Sequence, residues 1–166
     1  MSFLDPSFRC TGDAPMHSFL PYLEGVWARL AQTGRNYFEW GAGRSTVAAV
    51  RSGIPTISVD DSAFWLAQAE RQTQRSPLLS ALRRPNTTDY EDALHAYGGN
   101  VGAILIDGIR RVECAFAARR WAESHSDAII LLHDAARPAY RSALDAFPSI
   151  RWVAEGTARL YFPGRA

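Results

Sequence analysis

The sequence predicts an α/β fold, in which a mostly parallel sheet of about seven strands carries helices on both faces and ends in an antiparallel hairpin. Short apolar runs rich in Ile, Val and Leu alternate along the chain with segments whose apolar residues recur at helical spacing. The runs at 103–106 and 127–132 are almost entirely apolar, as expected for strands that are buried on both faces. The last two runs are separated by a short polar turn, which is typical of a hairpin.

The composition is typical of one globular domain over residues 1–166. Hydrophobic residues make up 47% of the chain and charged residues 21%, and the formal net charge is +1. Such a charge gives no field that would attract nucleic acid or a membrane surface. Cys10 and Cys114 do not form a disulfide framework, and the chain has no signal-peptide pattern or membrane-spanning run, which predicts a cytoplasmic protein. The oligomeric state stays open.

The first half of the chain begins with an irregular arm over residues 1–16. Apolar residues between His17 and Thr33 recur at helical spacing, and Gly34 is suited to end that helix. The core follows over residues 36–162. Its first elements are a strand at 36–40, a helix at 45–51, a strand at 54–59, and a helix that Ser62 can cap and that continues to about Arg75.

The second half begins with the segment 76–100, where the pattern is weak. Residues 78–82 fit a short edge strand, and residues 88–91 fit a capping box before a short helix that ends at Gly98. The remaining elements are a strand at 103–106, a helix at 111–124, a strand at 127–132, a helix at 136–147, and two strands at 150–154 and 158–162.

A glycine turn follows the first strand. That strand ends in Glu39, and Gly41 and Gly43 allow the backbone to turn tightly and to approach a ligand closely. An acid, Asp60 or Asp61, ends the next strand about 20 residues later, which is the distance at which Rossmann-like folds bind a ribose. Because glycine turns are common, the turn by itself could also be a plain connection between strand and helix.

Polar residues follow four of the predicted strands at the point where each strand ends. Ligands of open parallel sheets bind beyond the carboxyl ends of the strands, so these residues are expected to converge. They are Glu39 to Gly43 after the first strand, Asp60 and Asp61 after the second, Asp107 and Gly108 after the fourth, and His133 and Asp134 after the fifth. This convergence predicts the site more strongly than any single motif does.

The chemistry of the glycine turn favours one adenosine-containing cofactor. In the dinucleotide pattern GxGxxG the third glycine would stand at position 46, where this chain has Thr46. The carboxylate of Glu39 beside the turn suits a cationic amino-acid ligand better than a pyrophosphate. Both features favour S-adenosylmethionine over NAD.

Ordered motifs support this cofactor by resemblance. The segments EWGAGRST at 39–46, SVDD at 58–61, ILIDG at 104–108 and ILLHD at 130–134 resemble the motifs of class I S-adenosylmethionine-dependent methyltransferases. The chain is similar to small bacterial members with an E-W-G-x-G-x-S-T first motif and a D-G-x-x-R segment. The resemblance implies that the glycine turn lies behind the methionine part of the cofactor. The implied cofactor-binding residues are Glu39, Gly41, Ala42, Gly43, Ser45, and Asp60 or Asp61 for the ribose, with Trp65 or residues near Asn86 beside the adenine.

By the same resemblance, the methyl acceptor would approach the ends of the fourth and fifth strands. His133 can take a proton from a hydroxyl near neutral pH, so His133, Asp134 and Asp107 are the predicted catalytic residues. Alternatively, His133 only bonds the strand end and Asp134 caps the next helix. Asp107 and Asp134 could hold a divalent metal, but a third acid is lacking and a metal is not favoured. Four arginines could hold an anionic substrate, namely Arg110 and Arg137 as the main candidates and Arg111 and Arg141 beside them.

The sequence therefore predicts transfer of a methyl group from S-adenosylmethionine to an oxygen, and less readily to a nitrogen, of a small-molecule acceptor. Two alternatives stay open. One is an NAD-type oxidoreductase, and the other is a non-catalytic binding module with the fold of a methyltransferase.

Overall fold

A computed structural model describes residues 19–85, 88–154 and 156–161. The helices in these ranges are α1 (Leu20–Thr33), α2 (Arg44–Arg51), α3 (Ala63–Gln72), α4 (Thr88–Glu91), α5 (Ala93–Tyr97), α6 (Arg111–Ala122) and α7 (Arg141–Asp145), with 3-10 turns at Gly98–Asn100 and Pro138–Tyr140. The strands are β1 (Asn36–Trp40), β2 (Thr56–Asp60), β3 (Leu79–Arg83), β4 (Val101–Ile106), β5 (Ile129–Leu132), β6 (Ser149–Ala154) and β7 (Thr157–Tyr161).

The strands form one sheet in the order β3-β2-β1-β4-β5-β7-β6. The first five strands in this order are parallel, and β7 is antiparallel to both of its neighbours, β5 and β6. The predicted fold is confirmed, including the C-terminal hairpin. Because β1, β2, β4 and β5 run in the same direction, their carboxyl ends meet at one edge of the sheet.

Each face of the sheet carries its own hydrophobic core. On one face, Trp27 and Leu30 of α1 pack with Tyr37 of β1, and α2 and α3 lie on the same side. On the other face, Phe38 and Trp40 of β1 pack with residues of α4 to α7. Successive strand residues point to opposite faces, and both faces are covered, which explains why the central strands are apolar throughout.

Helix α3 ends earlier than the predicted boundary near Arg75. Its last residue is Gln72, and Gln74 and Arg75 have φ angles of 54° and 53°. This left-handed conformation ends a helix. Ser62 stands at the N-cap position, but its side chain makes no capping hydrogen bond.

Two further boundary predictions are wrong. Residues 88–91 form the short helix α4 rather than a capping box, although the short helix that follows, α5, does end directly before Gly98. The helix predicted at 136–147 is reduced to a 3-10 turn and α7, because Arg137 is extended, with ψ of 131°, ahead of Pro138. A residue that precedes proline is disfavoured in the helical conformation, so the helix begins only after this point.

Several predictions concern residues outside the described ranges. They are the arm at 1–16, the start of the first helix at His17, Cys10, the adenine contact near Asn86, and the end of the last strand at Phe162.

Among the described helices, none combines the length and the hydrophobicity that crossing a bilayer requires.

Candidate functional site

A cavity of about 680 Å³ lies beyond the carboxyl ends of β1, β2, β4 and β5. Its size falls within the range of small-molecule sites, roughly 300–1,000 Å³. The structure brings twelve of the predicted residues to its wall, namely Gly41, Ala42, Gly43, Ser45, Asp60, Asp61, Trp65, Asp107, Gly108, His133, Asp134 and Arg137. Phe19, Leu20, Arg44, Ser62 and Ile109 complete the lining. The predicted convergence of the strand ends is therefore present in the fold.

Glu39 lies beneath the glycine turn and not on the cavity wall. Its side chain is fully buried, and its carboxylate accepts hydrogen bonds from the hydroxyls of Ser45 at 2.6 Å, of Tyr37 at 3.2 Å, and of Thr46. Burial raises the pKa of Glu39 to about 7, although the hydroxyl donors oppose this rise. Glu39 thus supports the turn from below.

Thr46 connects the buried acid to the turn. Its hydroxyl accepts a hydrogen bond from the backbone N–H of Gly43 at 2.8 Å and donates one to Glu39. Thr46 is fully buried and lies in the first turn of α2. The residue that replaces the third glycine therefore fixes the glycine turn through its side chain, which a glycine cannot do.

Gly41 and Gly108 hold the loops after β1 and β4 in direct backbone contact. Gly41 has a φ angle of 105°, and a Cβ built on it would lie 2.7 Å from the backbone nitrogen of Gly108. A Cβ on Gly108 would lie 2.1 Å from the hydroxyl oxygen of Tyr90 and 2.9 Å from the nitrogen of Gly41. Gly43 differs, since among the described residues a Cβ there would meet no atom within 4 Å apart from its chain neighbours. Gly43 is therefore not required by protein packing, and a larger side chain there would extend into the open space beside the turn.

Asp60 joins the end of β2 to the glycine turn. Its Oδ2 accepts the backbone N–H of Ala42 at 2.7 Å, and its Oδ1 accepts that of Ser62 at 2.8 Å. Each carboxylate oxygen can accept a further hydrogen bond, so Asp60 can still bind two hydroxyls. Burial raises the pKa of Asp60, and the two backbone donors oppose this effect. Asp61 is more exposed than Asp60 and also lines the cavity.

His133 lies at the opposite end of the cavity, near Asp107 and Asp134. Its Nδ1 is 2.9 Å from the hydroxyl oxygen of Thr157, and its Nε2 is 3.8 Å from Asp134 Oδ1. The ring of Phe19 packs against the imidazole, with the ring centroids 4.3 Å apart. One Nδ1 contact thus orients the imidazole, and the other ring nitrogen is available for proton transfer. The catalytic role of His133 stays a prediction.

One side-chain atom each from Asp107, His133 and Asp134 lies within 4.8 Å of the others, which is a spacing that suits a metal ion. Both carboxylates are already ion-paired. Asp107 lies 3.0 Å from Arg111, while Asp134 lies 3.1 Å from Arg111 and 2.8 Å from Arg137. These pairs use Oδ1 of Asp107 and Oδ2 of Asp134, so one oxygen of each carboxylate stays available, but the adjacent guanidinium charges would repel a divalent cation.

The predicted substrate arginines lie in different surroundings. Arg137 lines the cavity, with 62% of its side chain exposed. Arg110 does not line it and pairs with Glu91 of α4 at 2.8 Å. Arg141 pairs with Asp145 at 3.0 Å on the surface of α7. The structure therefore brings only Arg137 of these three to the cavity.

Thr157 and Tyr90 belong to the site or its support, but they were not predicted from the sequence. Thr157 is the first residue of β7, and its neighbour Ala158 pairs with Leu132, so Thr157 lies beside His133. Tyr90 stands in α4 with its hydroxyl against Gly108. No local pattern signals either contact, because each depends on how distant elements pair.

No protein-family model matches the sequence, and no curated protein matches it. Solved structures do match. A mutant of MtNAS in complex with S-adenosylmethionine aligns with a TM-score of 0.56 and 11% identity, over 87% of this chain and 63% of that chain. MycE methyltransferase, in complex with Mg and SAH, aligns with a TM-score of 0.59 and 10% identity, over 90% of this chain and 50% of that chain. WbdD, a bifunctional kinase-methyltransferase, aligns with a TM-score of 0.58 and 11% identity, over 86% of this chain and 39% of that chain.

The chain has the fold of these proteins. At such low identity the likeness concerns the fold alone, and the chain spans between 39% and 63% of the length of the three structures. The chain therefore shares its fold with proteins that include methyltransferases.

Proposed function

We propose that this protein binds S-adenosylmethionine and transfers its methyl group to an oxygen of a small-molecule acceptor, with a nitrogen as the second choice. The observation that carries the proposal is the hydrogen bond from Ala42 N–H to Asp60 Oδ2. This hydrogen bond holds the carboxylate at the end of β2 beside the glycine turn, and both line the same cavity. Such an acid can bind both ribose hydroxyls, while the turn allows close approach of the methionine part.

The charge of the cavity supports this cofactor over NAD. Four carboxylates line it, but Arg111 and Arg137 pair with Asp107 and Asp134, so the excess negative charge lies at Asp60 and Asp61, against Arg44. S-adenosylmethionine is a net cation because of its sulfonium, whereas the pyrophosphate of NAD is anionic. A wall with excess negative charge favours the cation and repels the pyrophosphate. The oxidoreductase alternative also lacks the third glycine, since position 46 is Thr46.

Each part of the cavity has a separate task in this proposal. Gly41 to Gly43 lie against the methionine part, and Asp60 accepts hydrogen bonds from the ribose. When bound, S-adenosylmethionine supplies an electrophilic methyl group. His133 accepts the proton of the acceptor hydroxyl at the ring nitrogen that faces away from Thr157, and the carboxylate of Asp134 stabilises the imidazolium. The rate gain comes mainly from holding acceptor and methyl group in line.

Isothermal titration with S-adenosylhomocysteine tests cofactor binding. The wild-type chain is expected to bind it, and Asp60→Ala and Gly43→Val are expected to weaken binding. Gly43→Val changes a position where the protein leaves open space, so a loss of affinity there reports on the ligand. Asp145→Ala removes an exposed acid of α7 and is the matched control. Lack of binding at millimolar ligand would overturn the proposal, and binding of NAD(H) instead would favour the oxidoreductase.

Turnover separates an enzyme from a binding module. A panel of small phenols, alcohols and amines is incubated with methyl-labelled S-adenosylmethionine, and label transfer is measured. Transfer that His133→Ala lowers by about 100-fold or more supports proton removal by His133. Cofactor binding without transfer to any acceptor, unchanged in His133→Ala, would favour the non-catalytic alternative.

A further inference from the structure

Arg111 lies between the ends of β4 and β5, at the first position of α6. Its Nε donates to the carbonyl of Gly108 at 2.9 Å, and its Nη2 donates to the carbonyl of Asp107 at 2.9 Å. Its Nη1 donates to the carbonyl of His133 at 2.9 Å and to Asp134 Oδ2 at 3.1 Å. Nη2 also lies 3.0 Å from Asp107 Oδ1.

Four of these contacts are hydrogen bonds, and the fifth, to Asp107 Oδ1, is an ion pair. Only 12% of the side chain is exposed, and the face of the group packs on the ring of Tyr140 at 5.4 Å. The guanidinium of Arg111 therefore binds the protein itself rather than an anionic substrate, which was its expected role. Its partners are instead the backbone and the carboxylates that line the cavity.

The two strands that Arg111 joins separate at this point to open the cavity. The backbone ladder between them continues to the hydrogen bond from His133 N–H to the carbonyl of Ile106, at 3.1 Å. Past this bond, the chain of β4 leads to Asp107 and Gly108, and that of β5 leads to Asp134. The side chain of Arg111 spans this gap and donates hydrogen bonds to backbone carbonyls on both sides. It therefore links the two segments where backbone hydrogen bonds no longer do.

We propose that Arg111 is a positioning residue that fixes the ends of β4 and β5 relative to each other, and thereby sets His133, Asp107 and Asp134 around the acceptor. Through the carbonyl of Gly108 it also holds the β4 loop against Gly41 of the cofactor turn. The inference about the acceptor and the cofactor rests on the proposed function, while the clamp between the strand ends does not.

The test compares Arg111→Gln and Arg111→Lys with Arg120→Gln. Arg120 stands in the same helix, is exposed, and makes a long ion pair with Asp92 at 3.6 Å, which makes it a matched control. Affinity for S-adenosylhomocysteine is measured by titration calorimetry. We expect about a tenfold or larger loss in Arg111→Gln, since hydrogen bonds to a charged group are lost, and no change in Arg120→Gln. Lysine keeps the charge but not the planar fork, so Arg111→Lys is expected to restore only part of the affinity.

A second readout needs no ligand. Ring signals of His133 are followed by NMR in the same variants, with His125 as the internal reference, because its ring bonds the carbonyl of Trp121 within α6. Positioning predicts that Arg111→Gln changes the His133 signals and leaves those of His125 in place. Lower thermal stability with unchanged His133 signals and unchanged affinity would overturn the inference and leave Arg111 a purely structural residue.

The two readouts also separate this inference from the proposed function. If the wild-type chain binds no S-adenosylhomocysteine, the proposed function fails, and the His133 signals still decide whether Arg111 is a clamp. If the wild type binds the ligand and both Arg111 variants bind it equally well with unchanged His133 signals, only the inference fails. Should Arg111→Gln not fold, Arg111→Lys is judged by the same criteria.

Discussion

The backbones of Gly41 and Gly108 are so close that neither residue can carry a side chain without displacing the other. A Cβ on Gly108 would lie 2.9 Å from the nitrogen of Gly41 and 2.1 Å from the hydroxyl oxygen of Tyr90. The glycine turn after β1 therefore packs directly against the Asp-Gly motif after β4. This contact joins the glycine turn to the loop after β4 on the wall of the cavity.

Gly108→Ala is expected to destabilise the chain by about 1–3 kcal/mol, because the new methyl group overpacks this contact. Gly43→Ala is the matched control and should have little effect, since a Cβ there has open space in the part of the chain that the structure describes. Urea denaturation measures both changes. Tyr90→Phe in the Gly108→Ala background should recover part of the loss, because it removes the nearest clashing atom. Equal stability of the two alanine variants would contradict this account of the contact.

Glu39 makes stability depend on pH in a window set by its pKa. Burial raises this pKa from its ordinary value of 4.5 to about 7 in the folded chain. Between these values the unfolded chain has released the proton and the folded chain still binds it, so the unfolding free energy falls as pH rises. The contribution of Glu39 to this fall is about 3 kcal/mol.

Urea denaturation of the wild type and of Glu39→Gln at about pH 5 and about pH 8 checks this. The amide cannot titrate, so Glu39→Gln is expected to lose less stability than the wild type between the two conditions. The difference between the two proteins isolates Glu39 from other groups that titrate in the same range. Parallel pH profiles would show that Glu39 ionises normally in the folded chain.

The sequence predicts the fold and the cavity edge because both depend on local patterns. Apolar runs identify the parallel strands, and parallel strands place their carboxyl ends together, so residues as distant as Asp60 and His133 could be assigned to one edge. Glu39 and Thr46 were also informative, since both belong to the turn that they support.

Contacts between distant elements could not be predicted in the same way. Thr157 reaches His133 only because β7 pairs with β5 in one register, and Arg111 reaches both strand ends only because α6 begins between them. The order of β7 and β6 in the sheet is not encoded in either strand. Arg110 illustrates the limit, because it is adjacent to Arg111 in sequence yet pairs with Glu91 away from the cavity lining.

The variants Asp60→Asn and Asp61→Asn are expected to differ sharply in the stability of the folded chain. Asp60 accepts two backbone N–H groups, one on each carboxylate oxygen. In Asp60→Asn the amide NH₂ would face one of these donors, so a buried hydrogen bond is lost at a cost of about 1–3 kcal/mol. Asp61→Asn should change stability little.

The same two variants test which acid binds the ribose. Thermal unfolding gives the stability, and calorimetry with S-adenosylhomocysteine gives the affinity. We expect Asp60→Asn to weaken binding by about tenfold or more, through the loss of a charged acceptor, and Asp61→Asn to have a smaller effect. A larger loss of affinity in Asp61→Asn would assign the ribose to Asp61.

Removal of divalent metal is expected to leave cofactor binding unchanged. Asp134 is paired with both Arg111 and Arg137, and Asp107 is paired with Arg111, so the two acids are already neutralised. EDTA should not alter the affinity for S-adenosylhomocysteine, and Mg²⁺ should give no binding heat. Saturable binding of Mg²⁺ that is lost in Asp107→Asn would contradict this expectation and assign a metal to the site.

Thr157 is expected to affect turnover more than cofactor binding. Its hydroxyl oxygen lies 2.9 Å from Nδ1 of His133, the residue proposed to accept the proton of the methyl acceptor. Thr157→Val removes this partner at nearly constant volume, so the imidazole loses the contact that orients it. We expect kcat to fall by about tenfold or more, while the affinity for S-adenosylhomocysteine stays the same.

Thr157→Ser keeps the hydroxyl and should retain most of the rate. Equal rates in the valine and serine variants would mean that the hydroxyl does not orient His133, and equal losses of rate and of affinity in Thr157→Val would indicate a general disturbance of the fold.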